Sequence, residues 1–204
     1  MNQAVEIWSF MLKIGEHRLP LTEWLSADEE VRATRFHFPQ DATKFRIGRA
    51  MLRLILSHYV GLPPAALQFD YNTYGKPIVA AAQNHTGLAF NLAHSGEYAL
   101  CAVTDGAQVG IDLELIRALD YPRLAATIFS PREQEILHNL STDQQPMAFF
   151  NGWTRKEAYV KAHGLGLSMA LTDFDVTIAP NEPARLLATR PDAAEVSRWS
   201  LYGW

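Results

Sequence analysis

The sequence predicts an α+β fold of two α+β lobes packed side by side, residues 1–105 and 106–204, with a seam near Asp105-Gly106. Three observations lead there. Short β-type alternations fall into two groups, each accompanied by helical stretches with their own start signals. The element order reads β, α, α, β, β, β in the first half and β, α, α, β, β in the second, a rough two-fold echo. The chain has 204 residues, 48% of them hydrophobic and 20% charged, enough for an ordinary core in one large domain or two small ones.

Taken in order, Val5 to Phe10 alternates loosely and predicts a strand. Ser26-Ala27-Asp28-Glu29-Glu30 starts a helix, with an N-cap serine and acids in the first turn. From about Gln40 to Tyr59 a second helix places Phe45, Gly48, Leu52, Ile55 and Tyr59 on one face, flanked by Arg46, Arg49 and Arg53. Gly61-Leu62-Pro63-Pro64 ends it. Gln68 to Tyr71 reads as a short strand and Tyr74-Gly75-Lys76-Pro77 as a turn. Leu88 to Asn91 and Tyr98 to Val103 read as strands joined through His94-Ser95-Gly96. Gln108 to Leu113 is another predicted strand, followed by a polar loop. Ser130-Pro131-Arg132-Glu133 opens a helix over about 131–139, with Pro at N1 and Glu at N3. A further helix covers about 143–162. Phe174 to Ile178 and Arg198 to Tyr202 read as β.

Composition excludes several classes. Cys101 is the only cysteine, so an intrachain disulfide and a thiolate zinc site are ruled out. No apolar run approaches the ~18 residues that cross a bilayer, and MNQAVEIWSFML lacks a basic stretch ahead of its apolar one. A cytoplasmic protein with no membrane association is expected. A net charge of −4 argues against a nucleic-acid partner. Within it sits a basic island, Arg32, Arg35, Lys44, Arg46, Arg49 and Arg53, opposed between those limits only by Asp41. Such an island points to a small anionic ligand.

Four stretches could carry chemistry. On the predicted strand Val109-Gly110-Ile111-Asp112-Leu113-Glu114, Asp112 and Glu114 face one way, and two such carboxylates need a cation between them. Hard oxygen ligands suit Mg²⁺. In Trp153-Thr154-Arg155-Lys156-Glu157-Ala158-Tyr159-Val160-Lys161, Trp153, Lys156, Glu157 and Lys161 share one helical stripe. As a surface pair Glu157 and Lys161 would contribute only ~0.3–0.5 kcal/mol. With Trp153 anchoring the stripe, Glu157 becomes a candidate third metal ligand and Lys161 a candidate phosphate partner. His94, in Phe90-Asn91-Leu92-Ala93-His94-Ser95, could hold an anionic oxygen or act in acid–base chemistry. No G-x-S-x-G elbow accompanies it, which disfavours acyl-enzyme chemistry. Gly75-Lys76-Pro77 fixes a lysine on a turn.

Together these stretches, with Gly164-Leu165-Gly166-Leu167 and the Arg32–Arg53 island, resemble the Sfp-type 4′-phosphopantetheinyl transferases in order and spacing over about residues 26–178. The resemblance implies a monomeric pseudo-dimer of two similar α+β lobes, the 4′-phosphopantetheinyl transferase fold. It implies transfer of the 4′-phosphopantetheine arm of coenzyme A, the substrate, to a serine of an acyl or peptidyl carrier protein, releasing adenosine 3′,5′-bisphosphate. Asp112, Glu114 and Glu157 would hold Mg²⁺, with Mn²⁺ a substitute. Lys161 and Arg49 would offset phosphate charge, His94, Arg32 and Lys76 would hold the 3′-phosphate and nearby groups, and Glu157 or Glu133 would take the serine proton. Rival readings are a Mg²⁺-dependent nuclease, against which the net charge speaks, and a non-catalytic coenzyme A or carrier-protein binding module.

Two departures from the family pattern stand out. Ala93 replaces the first serine of N-[IL]-S-H-S, and an expected hydrogen bond to the 3′-phosphate, ~1 kcal/mol, is lost with it. The family also leads one to expect a further strand beyond Trp204; Trp199, Leu201 and Trp204 are available to close the second lobe. For the carrier protein, Ile116 to Arg123 and the helix from Pro131 are the expected docking surface.

Overall fold

The computed structural model describes residues 4–13, 15, 20–190 and 192–203; Trp204 lies outside the described residues. The chain forms two compact units, Met1–Leu113 and Glu114–Trp204, each mixing helices with small antiparallel sheets. By their contacts, residues 106–113 group with the first unit. Among the described residues no helix is long and apolar enough to cross a membrane.

In the first unit, β1 (Glu6–Met11), β4 (Leu88–Ser95) and β5 (Tyr98–Asp105) make a three-stranded antiparallel sheet in the order β1-β5-β4. A second, two-stranded sheet pairs β2 (Phe69–Tyr71) with β3 (Pro77–Val79). Between β4 and β5 lies a two-residue turn, Gly96-Glu97, with Gly96 at φ +62°, the positive value that a tight hairpin needs at its first central residue. Three helices, α1 (Leu21–Trp24), α2 (Ala27–Ala33) and α3 (Pro39–Val60), separate β1 from the rest. Proline opens α3, and Gly61 closes it in the left-handed conformation at φ +74°. Leu52, Ile55 and Leu56 of α3 meet Phe10, Phe90, Cys101 and Val103 of the sheet in one core. Burying each such aliphatic side chain stabilises by about 1.5–3 kcal/mol.

The second unit begins with α4 (Tyr121–Ile128), α5 (Pro131–Asn139) and α6 (Gln145–His163), and continues through the hairpin β6 (Phe174–Val176) and β7 (Leu186–Thr189) to α7 (Glu195–Arg198). Its core is aromatic: Phe129, Phe149, Phe150, Tyr159 and Phe174 are buried together. Trp199 and Leu201 pack against that core, as expected.

Three predicted elements change. Gln108 to Leu113 is not a strand. Val109 and Ile111 are buried against Ala93 and Ala102, but the Ile111 N–H donates to the Asn91 side chain (2.8 Å) instead of to a neighbouring strand. The alternation was a true burial pattern without a ladder partner. The expected polar loop contains α4, capped by Asp120, whose side chain accepts from the Arg123 N–H. Arg198 to Tyr202 is not β, since Glu195–Arg198 is helical and the second hairpin strand lies earlier, at Leu186–Thr189. Both units keep the expected α+β make-up.

Candidate active site

The basic island is less bare than its sequence suggests. Arg46 pairs with Glu30 at 2.9 Å, and Arg49 and Arg53 both pair with Glu29, at 2.9 and 2.8 Å. Both partners come from α2, just upstream of the island. Arg49 and Arg53 are buried rather than flanking a solvated face, at 5% and 2% exposure.

What remains is concentrated. In the first unit Arg32, Lys44, Arg49, Lys76 and His94 line one cavity of about 510 Å³, with Asp41 its acidic member. Phe36, Phe45, Gly48 and Phe90 provide apolar wall. Arg32 lies over the Phe45 ring, 5.5 Å from its centre, and Phe36 packs on Phe45 at 5.4 Å. All four residues matched to coenzyme A binding in this unit (Arg32, Arg49, Lys76 and His94) thus meet at one place. Cationic donors around an aromatic wall can take a phosphorylated nucleotide.

Local structure places each of them. Arg49 sits one turn before Arg53 on α3, its Nη2 donating to the Tyr71 hydroxyl at 2.9 Å. Lys76 follows a turn organised by Asn72, whose Oδ1 accepts the Tyr74 and Lys76 N–H groups at 2.9 Å each, while Gly75 takes φ +81°. Lys76 Nζ reaches the Val109 carbonyl oxygen at 3.2 Å, and burial lowers its pKa to about 8. His94 lies on β4, so the strand runs further than predicted, and it is exposed. Ala93, its neighbour, points to the other face of β4 and is buried with Val109 and Ile111. A hydroxyl at that position would face apolar side chains, so the phosphate bond thought lost at Ala93 is not what this backbone offers.

The acidic residues divide between the units. Asp112 closes the first unit, while Glu114 opens the second and Glu157 stands on α6. With Gln108–Leu113 irregular, the strand argument for Asp112 and Glu114 sharing a face no longer applies. Among the described residues, no group of three or more His, Cys, Asp or Glu side chains lies close enough to hold a metal ion. The three carboxylates supply the hard oxygen donors that suit a divalent cation.

On α6 the stripe splits. Lys156 turns fully inward (0% exposed), donating to the carbonyls of Leu171 (2.7 Å) and Phe174 (2.6 Å) and pairing with Glu133 at 2.8 Å. All three ammonium donors are used. Burial pulls the Lys156 pKa below its ordinary value, against the opposing pull of Glu133. Glu157 and Lys161, four residues apart, are half-buried, and Trp153 packs partly against the core beside Phe149. Glu133, the alternative base, is itself in the core at 0% exposure. It accepts the Ser130 and Val176 N–H groups at 2.8 Å each, besides Lys156. A carboxylate so engaged caps α5 and ties α5 and α6 to β6; it is a structural residue here.

Sequence reasoning overlooked Glu29, Tyr71 and Asn91, and set Lys156 on the Glu157 stripe without its buried partners. The signal for Glu29 was present, since Ser26-Ala27-Asp28-Glu29 is a capping box with the Ser26 N–H on Glu29 Oε2 at 3.0 Å. Nothing local says that the same carboxylate also meets α3.

Comparison with known proteins gives the family. The family model described as the 4′-phosphopantetheinyl transferase superfamily matches residues 108–202, and that described as 4′-phosphopantetheinyl transferase, N-terminal, matches residues 16–105. The chain is 43% identical over 188 residues to the 4′-phosphopantetheinyl transferase HetI of Nostoc sp., covering 91% of this chain and 79% of that protein. It is 35% identical over 156 residues to a 4′-phosphopantetheinyl transferase of Bacillus subtilis, covering 76% and 66% respectively. To the 4′-phosphopantetheinyl transferase Sfp of Bacillus subtilis strain 168 it is 29% identical over 155 residues, covering 76% and 67%. The chain belongs to the 4′-phosphopantetheinyl transferase superfamily.

Proposed function

We propose that the protein moves the 4′-phosphopantetheine arm of coenzyme A onto a serine of an acyl or peptidyl carrier protein. The observation that carries this, beside family membership, is the cavity where Arg32, Lys44, Arg49, Lys76 and His94 converge. Its volume of about 510 Å³ suits a nucleotide-sized ligand. In the reaction the serine oxygen bonds to the phosphorus that bears the pantetheine. The bond from that phosphorus to the leaving phosphate breaks, freeing adenosine 3′,5′-bisphosphate. Glu157 takes the serine proton, and Lys161 and Arg49 offset charge on the pyrophosphate. Phosphoryl transfer needs such positioning and charge stabilisation more than covalent help.

Asp112, Glu114 and Glu157 would hold Mg²⁺, or Mn²⁺ in its place, and the ion would stabilise charge on the leaving phosphate. For carrier-protein docking, Leu115 and Ile116 are exposed apolar residues (46% and 54%) beside exposed Arg117, with Arg123 exposed on α4. A basic and apolar patch suits an acidic partner. The protein is proposed to act as a cytoplasmic monomer.

The test is transfer from coenzyme A to a purified acyl carrier protein, read as mass gain with Mg²⁺, with EDTA and with Glu157→Ala. A gain that requires both metal and Glu157 supports the reading. No gain on several acyl and peptidyl carrier proteins, in a folded protein that binds coenzyme A, would leave only a binding module.

A further inference from the structure

We propose that Glu29, a residue outside the cavity wall, is a positioning residue for coenzyme A: it holds Arg49 in the orientation that meets the ligand's phosphate. The inference rests on the reading that the cavity takes coenzyme A.

The geometry is unusually complete. Glu29 is 1% exposed. Its Oε1 accepts from Arg49 Nε at 2.9 Å and lies 2.9 Å from Arg49 Nη2. Its Oε2 accepts from Arg53 Nε at 2.8 Å and from the Ser26 N–H at 3.0 Å. Arg53 spends further donors on the Pro64 and Leu67 carbonyls, at 2.9 and 2.8 Å, so it is anchored to the protein. Arg49 differs, because it also lines the cavity. The Tyr71 hydroxyl steadies it from a second side, and the Phe69 ring lies under both guanidiniums, at 4.9 and 5.2 Å.

Charge sets the direction. Two buried guanidiniums face one buried carboxylate, leaving one formal positive charge in excess. A buried charge without a counter-charge is costly, and a phosphate in the cavity would supply one. If Glu29 acted only as an electrostatic counterweight, removing its charge would tighten anion binding. If it positions Arg49, removal weakens binding, because an amide nitrogen in its place confronts one arginine donor with another. If it only stabilises the fold, melting temperature falls while affinity in the folded protein holds.

The experiment measures coenzyme A and adenosine 3′,5′-bisphosphate binding by calorimetry, and kcat and KM for transfer, in wild type, Glu29→Gln and Tyr71→Phe, with melts alongside. Wild type must bind both ligands; if it binds neither, the coenzyme reading itself fails and the inference with it. Given that binding, Glu29→Gln is expected to raise both Kd values about tenfold, the scale of a lost charge-assisted hydrogen bond. KM for coenzyme A should rise likewise, and kcat/KM should fall by at least that factor, because Arg49 also offsets charge on the pyrophosphate. Tyr71→Phe, at a partly exposed position, should raise Kd about threefold. Unchanged or tighter binding in folded Glu29→Gln overturns the proposal. If Glu29→Gln does not fold, unchanged binding in Tyr71→Phe overturns it, and the expected rise supports it.

Discussion

Lys76 Nζ donates to the Val109 carbonyl oxygen at 3.2 Å, joining the cavity wall to the segment that leads into Asp112. Burial holds this lysine at about 8 rather than its ordinary 10.5, so free protein loses the charge just above neutrality. kcat/KM for coenzyme A is therefore expected to fall as pH rises through about 8, while kcat at saturation stays flatter, because bound phosphates favour the ammonium. Lys76→Arg should flatten the profile, since guanidinium does not titrate in this range. The same group has a stability signature. Between about 8 and 10.5 the unfolded chain binds more protons than the folded one, so this lysine's contribution to stability rises with pH across that window. Steady-state profiles of both proteins over that range decide the first point, and chemical denaturation across it decides the second.

Ala93→Ser restores the family's usual residue at a position facing Val109 and Ile111, not the cavity. Coenzyme A affinity is expected to stay within about twofold, while stability drops by ~1 kcal/mol as an unpartnered hydroxyl enters an apolar cluster. Titration calorimetry with a denaturation curve checks both; a clear gain in affinity would restore the serine as a phosphate ligand.

Arg117, next in sequence to the exposed Leu115 and Ile116, and Arg123 on α4 are both exposed. Reversing both charges, Arg117→Glu with Arg123→Glu, should raise KM for an acidic carrier protein about tenfold or more at low salt, and leave KM for coenzyme A alone. Added salt should narrow the gap between variant and wild type. An unchanged carrier-protein KM would move the docking surface elsewhere.

Gly152 on α6 lies where a Cβ would approach Phe129 Cζ to 2.5 Å and Ile178 Cγ2 to 2.9 Å. Phe129 is fully buried and cannot swing aside. Gly152→Ala gains up to ~1 kcal/mol of helix propensity but meets overpacking of typically ~1–3 kcal/mol or more. A net loss is expected, seen as a Tm roughly 3–8 °C lower. An unchanged or higher Tm would mean the ring and helix separate at little cost.

Local grammar made much of this fold legible. Ser26 and Ser130 announce their helices through capping boxes, and Pro39 and Gly61 bracket α3. The cavity lysine, histidine and arginines were legible as types, their meeting only through the motif order. What stayed hidden depended on partners far along the chain. Val109-Gly110-Ile111 looks like a strand because alternate residues are buried, yet its N–H goes to a side chain, which no period reveals. Arg49 and Arg53 looked solvated because Glu29 lies on another helix. Lys156 reads as surface charge beside Glu157 until Glu133 and two carbonyls surround it. The signals for α4, Asp120 and Pro122, were present and were outweighed by the polar residues around them.

The Glu133 carboxylate also has a kinetic meaning. Its bond to Ser130 spans three residues and that to Val176 spans 43, so one side chain takes part in both a local turn and a distant closure. The short-range bond costs little chain entropy and can form with the first turn of α5, whereas the long-range one must wait for the loop to close. A Ser130→Ala substitution, which removes the reciprocal bond from the Glu133 N–H to the Ser130 hydroxyl (3.3 Å) in the same capping box, should therefore slow refolding, and Lys156→Met should chiefly hasten unfolding. Chevron plots of the two variants would separate an early clasp from a late lock built around the same carboxylate.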